Sequence, residues 1–456
     1  MPGTQRFAVT NPLRAFGITW FGQLVSLLGS GMTSYALGVK VYRESGSVTQ
    51  YALITFFYVL PFLLVSPVAG ALIDRWDRRR AMLLSDIGSG FGFFLIWVLL
   101  MADKAGLWHL EFWHFYPPLF LSSCFAVFRW PAYSAAITLL VPKQHLGRAS
   151  GLVELAGGLG QALSPLLATP LLLHIQFQGV LLVDLGTFLF AVLTLLVVRF
   201  PAPQAREGKA ERKSIRREMA LGWQFIRERP GLYRLIFFGV NVTLLFNLVI
   251  LWITPLVLGF TDINTLGRIA SMAGVGMVLG GVVMSVWGGP RRRVAGAILV
   301  HGLSGGLLLL AGLPPSVPLV AAAAALFLFA VPIVSGSVQA LWQSKVPPHL
   351  QGRVFAVRRM ASQTAGPVAS LLAGPLADRL FEPWLVPGGA LAGSVGALIG
   401  TGKGRGVAFL FLVLAVLTGL NALLTWSSPR VRGVEEELPD GFGQPAAKDA
   451  VRAASA

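Results

Sequence analysis

Apolar runs long enough to cross a lipid bilayer recur along most of this 456-residue chain. A helix of about 20 apolar residues spans the hydrocarbon core of a membrane, and a soluble domain has no comparable place for so many such runs. The sequence therefore predicts an all-α integral membrane protein with twelve transmembrane helices. Their approximate positions are 15–40, 49–73, 81–102, 117–140, 149–172, 180–199, 233–259, 266–287, 294–313, 318–341, 354–376 and 406–426.

Charged residues are scarce in this chain, and their two signs are unbalanced. They make up 12% of the residues, against 55% that are hydrophobic, and the formal net charge is +17. The cations fall mainly in alternate loops between the apolar runs, as at Arg78–Arg80 and Arg291–Arg293. This distribution is typical of cytoplasmic loops in a membrane protein rather than of a nucleic-acid-binding surface. It predicts cytoplasmic N- and C-termini and no nucleic-acid partner.

A repeated motif indicates that the chain consists of two similar halves. The pattern Val-Pro-x-x-x-x-Gly-Arg occurs at Val141–Arg148 and again at Val346–Arg353, each time before an apolar run. Motifs repeated in the same order and on the same predicted side of the membrane imply two six-helix bundles, related by a pseudo-twofold axis along the membrane normal. We predict the N-terminal bundle at residues 1–200 and the C-terminal bundle at residues 233–430.

The segments between and after the two predicted bundles are polar. Residues 201–232 are rich in cations, and from Ile215 onward apolar residues recur at helical spacing. This pattern predicts a basic cytoplasmic linker with an amphipathic helix on the membrane surface, where anionic lipids attract its cations. A site for a calmodulin-like partner is the less favoured alternative. Residues 431–456 are acidic and then rich in alanine, which predicts a disordered cytoplasmic tail.

The loop between the second and third predicted spans carries the most specific motif. Residues 70–80 read Gly-Ala-Leu-Ile-Asp-Arg-Trp-Asp-Arg-Arg-Arg. This loop resembles the signature loop of the major facilitator superfamily between its second and third helices, with Asp77 where that family usually has glycine. Within the superfamily, the segments 131–149, 352–355 and 374–379 resemble the bacterial exporters related to macrolide and siderophore efflux proteins.

The resemblance implies a function as well as a fold. We expect a monomeric secondary transporter in the bacterial cytoplasmic (inner) membrane, which exports an apolar or amphipathic small molecule by alternating access and proton antiport. A lipid flippase or scramblase-type carrier without ion coupling is the alternative. The chain has no nucleotide-binding, metal-binding or nucleophile motif, so the sequence predicts neither an enzyme nor a cofactor or metal site.

Ionisable residues inside the predicted spans are candidates for function, because each costs about 2.5–3.5 kcal/mol at the centre of a membrane helix. Glu154 and Arg129 fall on spans that line the central cavity in the family to which the resemblance points. We expect Glu154 to carry the coupling proton and Arg129 to contact substrate, with a structural role as the alternative for each. Asp86 and Asp184 lie closer to span ends, from which we expect them to reach an interface and to be structural.

Uncharged polar residues within spans are further candidates for contacting the substrate. By the resemblance, their helices face the cavity, although hydrogen bonding between helices explains each of them equally well. These residues are Gln23, Asn241, Asn247, Gln339 and Gln363.

The signature loop is a candidate for controlling the conformational change. By the resemblance, it latches the cytoplasmic side shut in the outward-open state, with Asp74 held at the inner end of the eleventh helix. Cations near that end favour a carboxylate. The predicted latch residues are Gly70, Asp74, Arg75, Arg78, Arg79, Arg353 and Arg358.

Overall fold

Helices form nearly all of the computed structural model, which describes residues 12–73, 77–141, 146–198 and 215–438. The described part of the first half contains α1 (Pro12–Ser45), α2 (Val48–Ile73), α3 (Arg78–Lys104), a 3-10 turn (Phe112–Phe115), α4 (Tyr116–Ala126), α5 (Arg129–Leu140) and α6 (Leu146–Val197). The predicted latch residues Asp74 and Arg75 lie outside the described residues.

The second half repeats this pattern of long helices and adds short ones at its ends. Its helices are α7 (Ile215–Arg227), α8 (Pro230–Leu258), α9 (Ile263–Trp287), α10 (Arg293–Gly312), α11 (Val317–Lys345), α12 (Pro348–Gln363), α13 (Ala365–Pro375), α14 (Glu382–Leu385), α15 (Val395–Ile399), α16 (Arg405–Trp426), α17 (Pro429–Arg432) and α18 (Val434–Glu437). A π-helical turn at Leu376–Phe381 joins α13 to α14.

The twelve predicted passes correspond to the long helices of the structure. Within the described residues, nine helices are long and apolar enough to cross a membrane. One of these, in α6, contains two passes. The remaining two passes are interrupted helices, α4 with α5 and α12 with α13. The predicted all-α fold with twelve transmembrane helices is confirmed.

The segment α6 contains two passes because it consists of two helices, which meet at Gln176 where the backbone is not helical and the chain reverses its direction. This residue has a φ of 58°, the one positive value at a non-glycine position in the described part of the chain. Before the break, each contact between α6 and α1 that lies further along one helix also lies further along the other. The two helices therefore run parallel there. After the break, Thr187 lies against Gly29 and Thr194 lies against Gly22, so the two helices run antiparallel.

The six-helix packing of the first half recurs in the second. In the first half α1 contacts α6, and α3 contacts both α4 and α6. In the second half α8 contacts α13 and α16, and α10 contacts both α11 and α16. Most contacts between the halves come from two pairs of helices, α6 with α9 and α2 with α13. These pairs are equivalent under the twofold relation between the halves, as expected for two repeats around a central axis.

The helix ends define two sides of the molecule. Arg78–Arg80, Arg291–Arg293 and Lys345 lie at one end of the bundle, which we call the basic side. The opposite end carries the reversal at Gln176 and the short helices between α13 and α16, and we call it the far side. The helix α2 begins on the far side and ends on the basic side.

The helix α7 packs on the second half of the protein. Phe225 and Ile226 are buried in the same cluster as residues of α8 and α12, and Gly222 lies against the backbone of Arg353. One face of this helix therefore packs on α12, and the expectation that the helix lies on the membrane surface stays a prediction. The cations at 201–214 lie outside the described residues.

The beginning of the predicted C-terminal tail is ordered. Val431 and Val434 are buried, and Lys345 Nζ donates hydrogen bonds of 2.6 Å to two backbone carbonyl oxygens of this segment. The prediction of disorder is wrong for 431–438, because these two apolar side chains and the carbonyl groups find partners on the second half. Residues 439–456 lie outside the described part of the chain.

Candidate functional site

A cavity of about 430 Å³ separates the two halves on the basic side. The helices α2 and α13 touch on the far side, where Thr49 lies against Gly374, and remain in contact as far as Val59 and Gly366. Nearer the basic side, the cavity lies between α2 of the first half and the helices α7 and α12 of the second. Its lining residues are Leu63, Ser66, Met219, Gly352, Phe355, Ala356, Arg359, Met360 and Gln363.

A second cavity, of about 190 Å³, lies between the halves closer to the far side. Tyr35, Tyr51 and Pro165 line it from the first half, and Ile253 and Phe327 line it from the second. Its walls are mainly apolar, with tyrosine and threonine hydroxyls as the polar groups. Such a surface binds by excluding water, so it suits apolar or amphipathic molecules without selecting one structure.

An ion pair lies inside the first half. Asp86 is fully buried, and its Oδ1 is 3.2 Å from Nε of Arg129. Its Oδ2 accepts a hydrogen bond of 2.8 Å from Gln23 Nε2. The guanidinium carbon of Arg129 lies 5.6 Å from the centre of the Phe188 ring. The buried carboxylate thus joins α1, α3 and α5, and Arg129 adds a contact with α6. A buried carboxylate of this kind requires its partners.

These positions differ from the sequence expectations. The structure pairs Arg129 with Asp86, because α5 packs closely on α3 and makes few contacts with α6. The expectation that Asp86 and Asp184 reach an interface is wrong, since both are fully buried by neighbouring helices. Glu154 lies on α6, but its side chain is not among those described, and its role stays a prediction.

A polar chain crosses the second half. Asn241 Nδ2 donates to Asn421 Oδ1 at 3.3 Å, and Asn421 Nδ2 lies 3.2 Å from His301 Nε2. His301 is buried and meets the ring of Phe238 edge-on. The sequence analysis missed His301 and Asn421, although a histidine and an asparagine inside apolar spans are signals of the same kind as Asn241.

The other predicted cavity residues have different surroundings. Gln363 lines the cavity on the basic side. Asn247 Nδ2 donates to the carbonyl oxygen of Thr243 in its own helix at 2.7 Å. Gln339 Oε1 accepts a hydrogen bond of 2.8 Å from Arg358 Nη1. Of this set, Gln363 lines the cavity between the halves, and its contact with a substrate stays a prediction.

The described latch residues make contacts within their own halves. Arg79 donates from Nε and Nη2 to the carbonyl oxygens of Leu195 and Leu196, at 2.8 and 2.6 Å. It thereby satisfies carbonyl groups at the end of α6 that have no partner within the helix. Arg358 is held by α11, through Gln339 and through the ring of Trp342 at 5.5 Å.

The roles of the remaining predicted latch positions stay predictions. Gly70 lies in the last turn of α2, Arg78 begins α3 and Arg353 lies in α12. Among the described residues, no group of three or more His, Cys, Asp or Glu side chains could hold a metal ion.

Comparison with known proteins identifies the family. A family model described as the Major Facilitator Superfamily matches residues 19–370. The chain belongs to this superfamily. It is therefore a transport protein with a small-molecule substrate and a multi-pass protein of the bacterial inner membrane.

Two proteins with similar sequences are named as efflux proteins. Macrolide efflux protein A of Streptococcus pyogenes is 26% identical over 392 residues, which are 82% of this chain and 93% of that protein. Multidrug efflux pump Tap of Mycolicibacterium fortuitum is 26% identical over 382 residues, which are 78% of this chain and 88% of that pump. These relatives support a transporter that exports small molecules.

Solved structures of the superfamily share the fold at low sequence identity. A bacterial homologue of the human lysosomal transporter Spinster, in an inward-facing and unoccupied conformation, matches with a TM-score of 0.67 and 13% identity, over 94% of this chain and all of that one. A D-xylose–proton symporter matches with a TM-score of 0.62 and 14% identity, over 93% of this chain and 99% of that one.

Proposed function

We propose that this protein exports an apolar or amphipathic small molecule from the cytoplasm by alternating access, driven by proton antiport. The observation that carries the proposal is the packing of the halves, which meet on the far side and enclose a cavity on the basic side. We assign the basic side to the cytoplasm, because cations concentrate on the cytoplasmic side of membrane proteins. With that orientation the cavity lies on the side from which an exporter accepts its substrate, which supports the proposal.

The apolar character of the substrate is inferred from the second cavity. Tyrosine rings and aliphatic side chains of both halves line it, and a molecule held there touches both halves at once. Each Å² of apolar surface that binding removes from water contributes about 25 cal/mol of favourable free energy. A substrate in this position can therefore favour closure of the two bundles, at 1–200 and 233–430, around itself.

Proton coupling is assigned to Glu154 from its position on α6. The residue one helical turn further along, Gly158, lies against Val278 of α9. Position 154 comes one helical turn before this contact on the same helix, and we infer the role of its carboxylate from that proximity. Asp86, by contrast, is already held by Arg129 and Gln23 inside the first half. A carboxylate at the junction of the halves can gain and lose a proton as the junction opens and closes.

Cysteine labelling tests the assigned orientation. In a parent with Cys124→Ala, the variant Ser66→Cys places a thiol in the cavity, and Ser26→Cys places one in the buried interior as a matched control. A membrane-impermeant maleimide should label position 66 in everted vesicles, and neither position from the periplasmic face. Labelling of position 66 from the periplasmic face alone would overturn the orientation.

Substitution of the proposed carrier tests the coupling. Glu154→Gln should abolish uphill export in proteoliposomes while downhill exchange continues, because a glutamine cannot release a proton. Glu111→Gln, an exposed residue of a far-side loop, is the control and should transport normally. If the glutamine variant at 154 pumps uphill like the parent, Glu154 is not the carrier. If the parent transports without regard to the gradient, the protein is an uncoupled carrier.

A further inference from the structure

One sequence pattern occurs at the end of two helices that touch each other. Residues 70–75 read Gly-Ala-Leu-Ile-Asp-Arg, and residues 374–379 read Gly-Pro-Leu-Ala-Asp-Arg, so both fit Gly-x-Leu-x-Asp-Arg. The first copy ends α2 on the basic side, and the second follows α13 on the far side. These two helices form one of the two junctions between the halves.

The aspartate of the second copy binds the beginning of α2 in the other half. The Asp378 carboxylate accepts hydrogen bonds from the Ser47 hydroxyl at 2.6 Å, from the backbone N–H of Val48 at 3.0 Å and from that of Thr49 at 2.8 Å. The first N–H groups of a helix have no partner within it, and the helix dipole favours a negative charge there. Asp378 thus caps a helix more than three hundred residues away in the chain.

The neighbouring residues hold this carboxylate at its target. Gly374 lies so close to Thr49 that a Cβ atom at position 374 would collide with the Thr49 backbone. The indole Nε1 of Trp252 donates a hydrogen bond of 3.0 Å to the carbonyl oxygen of Ala373, which fixes the end of α13 to its own half. The position of Asp378 therefore moves with the second half, and the group that it caps moves with the first.

We propose that Asp378 is the latch of the far side. It caps α2 while the far side is closed, and it releases α2 when the halves separate there. The proposal rests on the alternating-access part of the proposed function, and it depends on neither the coupling ion nor the substrate.

The local geometry allows this contact to break without unfolding α2. Ser47 Oγ also accepts a hydrogen bond of 3.3 Å from the backbone N–H of Gln50, so α2 keeps a cap of its own. Release of Asp378 exposes its carboxylate and two backbone N–H groups to water, which can satisfy them. The latch therefore adds free energy to one conformation and not to the other, as a two-state switch requires.

Distances across the far side test the latch. In the Cys124→Ala parent, cysteines replace Glu44 in the first half and Val386 in the second, both exposed, and carry spin labels. Asp378→Asn should raise the ratio of far-side-open to far-side-closed molecules by about 5- to 30-fold, because hydrogen bonds to a neutral amide oxygen are weaker than hydrogen bonds to a carboxylate. The expected signal is a second, longer distance without any substrate or proton gradient.

Asp262→Asn is the matched control. Asp262 is also a far-side helix cap, but its Oδ1 accepts from Thr265 N at 2.8 Å within its own helix. The Asp262→Asn variant should leave the distances between the spin labels unchanged. Gly374→Ala serves as a second variant, since its added methyl group forces α2 and α13 apart, and it should shift the distances in the same direction as Asp378→Asn.

Two results would overturn the latch. One is a distance distribution in both Asp378→Asn and Gly374→Ala that equals that of the parent. The other is an equal shift in Asp262→Asn, which would mean that any far-side charge has this effect. Because the measurement uses no transport, a failure of proton antiport would appear only in the vesicle assays and leave these distances unaffected.

Discussion

Removal of Arg129 should destabilise the protein more than any other single change in the buried ion pair. The Nε–Oδ1 distance of 3.2 Å corresponds to about 5 kcal/mol of attraction at an effective dielectric constant of about 20. Arg129→Met leaves Asp86 fully buried without its cation. Breaking a buried pair in this way costs about 3–5 kcal/mol. The loss should appear as a lower midpoint of thermal unfolding in detergent, measured by size-exclusion chromatography of heated samples.

The two members of the pair should not be equivalent. Asp86→Asn should cost less than Arg129→Met, because the Arg129 side chain is 21% exposed, whereas that of Asp86 is not exposed at all. The double variant Asp86→Leu with Arg129→Met removes both charges and should be more stable than Arg129→Met alone. Equal unfolding midpoints for Arg129→Met and the parent would refute this reasoning. So would a double variant whose midpoint is lower than that of Arg129→Met alone.

Three further changes give separate expectations. Lys345→Met should speed proteolysis within 431–438, because the two hydrogen bonds to that segment are lost; an unchanged rate would contradict this role. Gly274→Val should reduce transport while the protein still folds, because its side chain collides with the Ala162 backbone where α9 meets α6; normal transport would argue against close approach there. Burial raises the pKa of Glu382 above its ordinary value of 4.5, although backbone hydrogen bonds partly oppose this shift. The contribution of Glu382 to the stability of the folded protein should therefore fall as the pH rises through the raised pKa. Glu382→Gln should flatten that pH dependence of the unfolding midpoint.

The helical passes could be predicted from the sequence because their signal is local. A run of apolar residues of the right length spans a membrane wherever its neighbours lie. The side of the membrane on which each loop lies could also be predicted, because the number of cations in a loop can be read from the sequence alone. The break at Gln176 falls in the predicted gap between 149–172 and 180–199, and the backbone at this residue is not helical.

The contacts between helices could not be predicted in this way. The partner of Arg129 depends on which helix packs beside α5, and depth along the membrane normal does not distinguish Asp86 from Glu154. The burial of Val431 and Val434 depends on the surface offered by the second half. The contact of Asp378 with α2 joins residues 329 to 331 positions apart. Each of these is a property of the assembled fold and not of a sequence window.

Uphill transport is the most direct test of the proposed function. Everted vesicles from a host without its own broad-range exporters, with and without this protein, receive a fluorescent amphipathic dye and a respiratory substrate that acidifies the vesicle interior. We expect the protein to accumulate dye inside the vesicles against its gradient, and we expect a protonophore to release it. Dye accumulation equal to that of control vesicles for every amphipathic dye tested, or accumulation that the protonophore does not change, would contradict proton-driven export.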